Sequence, residues 1–367
     1  MSLEGLVEIL IPMDPQERIT VHYSEPFDPE LVLKGKSRTE AVRLIPLLYS
    51  VCGTAHAAAA VRALGIEGSV GKELVREALV MMERAREHVF RMALGWPALI
   101  QREPDQSIGK LALPMLPDFS KAMDPDGAAF LAGSDAPPDY SKARQVNADM
   151  RRLVEDGIFS EPLEAWLQRD RASVLEDWVE REASIAARVI GCLVQQNIAG
   201  LADVPAVYLC DTDLADAWSG YEGEGAQVPE TSVMERRLTN HLLQGCVRPA
   251  LVDRYLVRLV DLAETIRELE EMLKEPSNWS IGEREQIAGT GTANTARGRL
   301  THLAKIAGDT IDGYRIVSPT RWNFAENGIA AGCLNALPPL PAGGRLLIAN
   351  WIVGAIDPCV RHEIRGV

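Results

Sequence analysis

The chain is short of the features that mark several functional classes. Aromatic residues make up 5% of its 367 positions, and 38 lysines and arginines face 52 aspartates and glutamates, a net charge of −14. So acidic a chain has no basic face to displace counterions from a phosphate backbone or an anionic bilayer. Neither nucleic acid nor membrane is therefore an expected partner. No apolar run reaches the roughly 18 residues that a membrane-spanning helix needs. The opening "MSLEGLVEIL" lacks a basic stretch, apolar core and cleavage site in succession, which points away from a secretory leader and toward the cytoplasm. Six cysteines in so long a chain do not make a disulfide scaffold. Cys192, Cys246 and Cys333 have mostly small or apolar neighbours and read as buried small hydrophobes.

What is present is a 47% hydrophobic chain able to bury a large core. Loose alternation over residues 3–11 and 18–23 predicts a short hairpin. Ser37 and Glu40 match a capping box ahead of an apolar face, with Pro46 kinking or ending that helix. A second helix is expected from Val51 to Leu64, stopped by Gly65, and a long amphipathic one over 71–94. The Pro-, Asp- and Gly-rich residues 103–140 read as loops, followed by helices at 141–157 and 161–198. Residues 201–230 read as a further loop, with helices near 232–245 and 250–274. "RLTHLAKI" and "TIDGYRIV", joined by Ala-Gly-Asp, predict a late hairpin. The expected class is mainly α with minor β.

Two cysteines have company that suggests chemistry. Cys52 and His56 in "YSVCGTAHAAAA" are spaced i, i+4 and would share a helix face. Cys359 and His362 in "GAIDPCVRHEIRGV" are spaced i, i+3, which does the same if a helical turn follows Pro358. In that case Asp357 would be the N-cap, and Cys359 would sit at the positive end of the helix, where a thiolate is favoured. Two Cys and two His can close a tetrahedral zinc site, although this separation is not that of a zinc finger. The competing readings are a buried, hydrogen-bonded His56 and a surface His362.

At these residues the sequence resembles the large subunit of nickel–iron hydrogenases, whose ends carry the motifs R-x-C-G-x-C-x-x-x-H and D-P-C-x-x-C-x-x-H/R. "SVCGTAHAAA" and "DPCVRHEIR" occupy those places. "TARGRLTHLAKIAGDTIDGYRIVSPTRWNF", "EAVRLIPLLYSVCG" and "LEGLVEI" resemble further family segments. The likeness covers residues 1–100 and 285–367, is weak over 101–284, and implies one large-subunit-like domain over 1–367, a central helical bundle on which both motifs converge. Cys52 and Cys359 match the family's first, nickel-terminal cysteines. The second, bridging positions fall on Ala55 and His362, the motif histidine on Ala59 and its leading arginine on Ser50. Alanine offers no lone pair and neutral imidazole only one, so a bridged nickel–iron centre is not expected, nor is nickel. Arg297 matches the family arginine that faces the iron's diatomic ligands. Thr320 matches the residue that hydrogen-bonds a cyanide, and Asp357 the residue before the C-terminal cysteine. Glu4 falls on the family's N-terminal glutamate. The chain stops two residues past Arg365, the match to the family's final His/Arg, which suggests that it does not undergo the C-terminal cleavage of true large subunits.

This pattern is similar to the HupK/HoxV-type accessory proteins. The resemblance implies a non-catalytic scaffold or chaperone that carries or protects an Fe(CN)2(CO) unit. The unit would come from HypC/HypD-type maturation proteins and go to the hydrogenase large-subunit precursor. Cys52 and Cys359 would be the thiolate ligands, His56 and His362 second-choice ligands, and Arg297 and Thr320 the cyanide donors. Asp357 would orient Arg297 or cap the last turn. The alternatives are a metal-free structural relative and a zinc-bound Cys2His2 protein.

Overall fold

The computed structural model describes residues 5–25, 27–49, 51–66, 68–131, 136–210, 228–244, 246–280 and 287–367. Glu4 and Ser50 lie outside them. The first elements follow the sequence closely. Strands β1 (Leu6–Ile11) and β2 (Thr20–Ser24) pair antiparallel, and α1 spans Pro29–Leu33. Helix α2 (Arg38–Leu48) begins at the expected capping box: the Ser37 amide donates to Glu40 Oε2 at 2.9 Å and the Glu40 amide to Ser37 Oγ at 3.3 Å. Pro46 lies within its last turn. Helix α3 (Gly53–Ala63) ends at Gly65, whose φ of +61° suits glycine.

Helix α4 (Val70–Phe90) and the Leu251–Lys274 helix pack together as the centre of the bundle, joined by α7 (Tyr140–Val154). Two expectations fail around them. The Pro/Asp/Gly-rich stretch contains α5 (Gln106–Ala112) and α6 (Met115–Met123), because Asp105 caps α5 through the Ser107 and Ile108 amides and Pro114 stands at the start of α6. The helix expected over 161–198 is broken into short pieces and a final Ile185–Gln195 helix, the breaks marked by the Asp170 and Ser184 caps. The 232–245 prediction shrinks to single turns at Met234–Arg237 and His241–Leu243.

The late hairpin is strands β4 (Gly298–Ala307) and β5 (Thr310–Val317), with β3 (Thr290–Thr295) added on the β4 edge. This sheet lies directly on α3. A Cβ at Gly291 would stand 2.0 Å from the Ala59 carbonyl oxygen, so backbone meets backbone across the run Ala57–Ala60. Small residues on α3 are what let β3 approach.

The C-terminus corrects the most consequential expectation. No helix follows Pro358. The apolar Ala342–Ile356 helix ends at Asp357, and the chain turns into β6 (Arg361–Gly366), parallel to β1 with Val7 opposite His362. The two ends of the chain thus share one sheet in the order β2-β1-β6. Asp357 is a C-cap in the left-handed region (φ 63°), not an N-cap. Its carboxylate is engaged elsewhere.

Candidate metal site

Cys52 occupies the N-cap position of α3 in a left-handed conformation (φ 59°), so both motif turns are built on a non-glycine residue with positive φ. Such residues persist where the surroundings hold them. At Cys52 the hold comes from Glu83 on α4, which accepts from the Thr54 and Ala55 amides at 2.9 Å each. It thereby takes two of the free donors of the α3 N-terminus. Burial pushes the Cys52 thiol well up; the Arg297 guanidinium pulls the other way, while Glu83 and Glu87 reinforce the rise. The thiol at a helix N-terminus is therefore Cys52, and a carboxylate has already claimed that terminus.

Arg297 connects the two motifs. Its Nη1 lies 3.5 Å from Cys52 Sγ and 3.4 Å from Glu87 Oε2, and its Nε lies 3.4 Å from Asp357 Oδ2. Cys52 and Cys359 both act on this guanidinium electrostatically. The turn that carries Arg297 admits little error. Gly298 has φ +141°, and a Cβ there would fall 1.4 Å from the Thr231 carbonyl oxygen. Thr231 in turn donates its amide to Asn323 Oδ1 at 3.0 Å, tying the Arg297 turn to the Pro319–Asn323 helix. That helix supplies Thr320, whose Oγ1 donates to Cys359 Sγ at 3.0 Å and accepts from the Cys359 amide at 2.9 Å.

Asp357 lies beneath, 3% exposed, with Arg91 Nε at 3.1 Å, Arg258 Nη1 at 3.3 Å and Arg297 Nε at 3.4 Å. Burial alone would raise its pKa, but Arg297, Arg91 and Arg258 outweigh burial and hold the carboxyl well below the usual carboxylate range. Arg258 also donates to the Ala355 and Ile356 carbonyls at 2.8 Å each, closing the C-terminus of their helix.

His56 is engaged away from the thiols. His56 Nδ1 lies 3.0 Å from His302 Nε2, whose ring continues to the Tyr314 hydroxyl at 2.7 Å, and Tyr49 stacks on His56 at 3.7 Å. Burial drives His56 down to about 3, so the ring is neutral. His362 stands on β6, and among the described residues no three His, Cys, Asp or Glu side chains gather as a metal-holding group. Sequence reasoning missed Glu83, Glu87, Arg91 and Arg258. The first three repeat at i, i+4 and i+8 along α4 and its continuation, a stripe visible in "MMERAREHVFRMA".

Comparison with known proteins bears on the fold and the relatives of the chain. The chain is 26% identical to the hydrogenase expression/formation protein HoxV of Cupriavidus necator, over 91% of its own length and 89% of that protein's. Identity is 24% to HupV of Azotobacter chroococcum and 23% to HupK of Azotobacter vinelandii, over 91% and 92% of this chain and 90% of each relative. The chain is similar to hydrogenase expression/formation proteins over nine-tenths of its length. Its fold is that of a hydrogenase large subunit. It superposes on a NAD+-reducing NiFe-hydrogenase with a TM-score of 0.62 at 14% identity, covering 94% of this chain and 92% of the other. The Ni-Fe-Se hydrogenase of D. vulgaris Hildenborough gives 0.59 at 14% identity, covering 94% of each. Residues 229–333 match the family model "Nickel-dependent hydrogenase", so that match reaches back into the middle stretch whose sequence likeness is weak. No helix among the described residues is long and apolar enough to cross a membrane.

Proposed function

We propose that the chain is a non-catalytic scaffold in hydrogenase maturation, holding an Fe(CN)2(CO) unit between the thiolates of Cys52 and Cys359. The supporting observation is that the buried Arg297 guanidinium lies 3.5 Å from the Cys52 sulfur and within electrostatic reach of Cys359, at the other end of the chain. Two protein donors would leave a zinc ion short of its four ligands, and among the described residues no group of three His, Cys, Asp or Glu side chains gathers to hold one. An iron that brings three carbon ligands of its own needs far fewer. Its cyanide nitrogens carry negative charge and call for charge-assisted donors. Arg297 Nε is buried without a well-aligned hydrogen bond and is an available donor, while Thr320 Oγ1, which donates to Cys359 Sγ here, would have to turn its one hydrogen to a cyanide. Nickel has no place in this reading, because the bridging positions hold Ala55, fully buried, and His362 on a strand. Few thiolates suit a carrier that must let go. The giver would be a HypC/HypD-type complex and the receiver the hydrogenase large-subunit precursor. Elemental analysis after anaerobic purification from a hydrogenase-producing host should find substoichiometric iron without nickel. One zinc per chain would overturn the reading in favour of a zinc protein, and no metal at all in favour of a structural relative.

A further inference from the structure

The end of α5 and the turn into α6 display two leucines to solvent: Leu111 is 59% exposed and Leu113 60%. Leu111 and Met115 also line a cleft of about 590 Å³, whose apolar walls are completed by Ile108, Leu153 and Ile185. The cleft is built into the packing. A Cβ at Gly157, just past α7, would stand 2.7 Å from Ile108 Cδ1, so α5 and the continuation of α7 touch where both line it. Protruding leucines beside an apolar recess make a contiguous surface of the kind that marks an interaction site. The charges around the recess are of both signs. Asp105 is engaged in the α5 cap, and Asp149 pairs with Arg152. That leaves Asp156, past the end of α7, and Arg188, in the first turn of the Ile185–Gln195 helix. Asp156 has no ion-pair partner among the described residues, and Arg188 donates to the Glu182 carbonyl at 3.2 Å but meets no carboxylate.

We propose that this face joins two copies of the chain across a twofold axis. The leucine turn of one copy enters the cleft of the other, and Arg188 of each copy meets Asp156 of the other. A twofold contact uses the same patch on both copies, so it must carry knob and recess, and cation and anion, together; this face carries all four. Charge favours the same occupant. Two chains of net charge −14 repel over most of their surface, and a self-contact forms only where the signs cancel locally. None of the residues lining the cleft belongs to the thiol site, so the dimer forms with or without a metal.

The test is sedimentation equilibrium of the full chain from micromolar to hundreds of micromolar. The parent's mass rises with concentration to twice that of one chain. Leu113→Glu buries a charge at the contact, and Asp156→Arg and Arg188→Glu each set like charges against one another. Each raises the dissociation constant about ten-fold or more. All three positions are exposed, so the variants keep the parent's melting temperature at a dilution where every protein is a monomer. An equimolar mixture of Asp156→Arg and Arg188→Glu regains the parent's affinity as a mixed dimer, because one copy then offers two cations and the other two anions. A parent that stays monomeric throughout overturns the twofold contact and leaves the face to a different kind of partner. A dimer that the three variants leave unchanged also overturns it. So does a mixture no tighter than its components, since the two charges would then not meet.

Discussion

Replacing Asp357 by alanine removes the anion at which Arg91, Arg258 and Arg297 converge, at 3.1, 3.3 and 3.4 Å. Arg258 is best placed to survive the loss, since it keeps the Ala296, Ala355 and Ile356 carbonyls. Arg297 keeps Glu87, while Arg91 keeps one long bond to the Gly354 carbonyl at 3.3 Å. Breaking a buried ion pair by removing one partner costs about 3–5 kcal/mol, because the other charge remains desolvated. At about 2 °C per kcal/mol for a chain of this size, the melting temperature should fall by about 6–10 °C. Asp357→Asn, which keeps volume and an acceptor oxygen, should fall less. Arg91→Met in the alanine background should recover part of the loss by removing one unpaired cation. Calorimetry and urea titration of the four proteins at neutral pH measure all of this. Asp357→Ala within about 1 kcal/mol of the parent would refute the view that this carboxylate holds the site together.

Gly298→Ala should yield little folded protein, since its Cβ would stand 1.4 Å from the Thr231 carbonyl oxygen; a soluble variant with parental melting would contradict the packing described here. Three buried histidines have depressed pKa values, all through burial: His56 to about 3, His88 to about 4, and His302 well below the usual range. Each contributes stability that is present above the unfolded-state value near 6.5 and lost as pH falls toward the folded one. Unfolding free energy should therefore drop below pH 6.5, by about 1 kcal/mol per pH unit for each histidine, down to about pH 4. A flat profile over that window in urea titrations would contradict neutral burial. His56→Ala should lower stability while leaving bound iron in place, because its ring belongs to the His302 and Tyr49 contacts; iron lost in a folded variant would restore it as a ligand. Thr320→Val should weaken iron retention about five-fold, the worth of one hydrogen bond near 1 kcal/mol, and Thr320→Ser should restore it; equal iron content in all three would refute the role.

The parts of the fold legible in sequence were those with a local cause. The Ser37–Glu40 box, the stop at Gly65 and the 298–317 hairpin each announce themselves within a few residues. The C-terminal motif misled because Asp-Pro reads locally as a helix start, whereas the strand pairing of Arg361–Gly366 with β1 is set by residues more than 350 positions away. Asp357 was recognisable by family likeness, but its three guanidiniums come from distant elements, and no spacing rule connects Arg91, Arg258 and Arg297. His56 shows the same limit: its partner His302 lies 246 residues on, so a hydrogen-bonded core histidine and a ligand look alike in the sequence. The stripe Glu83, Glu87, Arg91 was visible as charge, but only the packed structure shows it facing the thiols instead of water.

Infrared spectroscopy of the anaerobic protein from a hydrogenase-producing host addresses the central claim most directly. The account predicts carbonyl and cyanide stretches in the parent that vanish in Cys52→Ala and in Cys359→Ala while both variants stay folded. Bands that persist in both variants, or a folded, iron-containing parent that shows none, would contradict it.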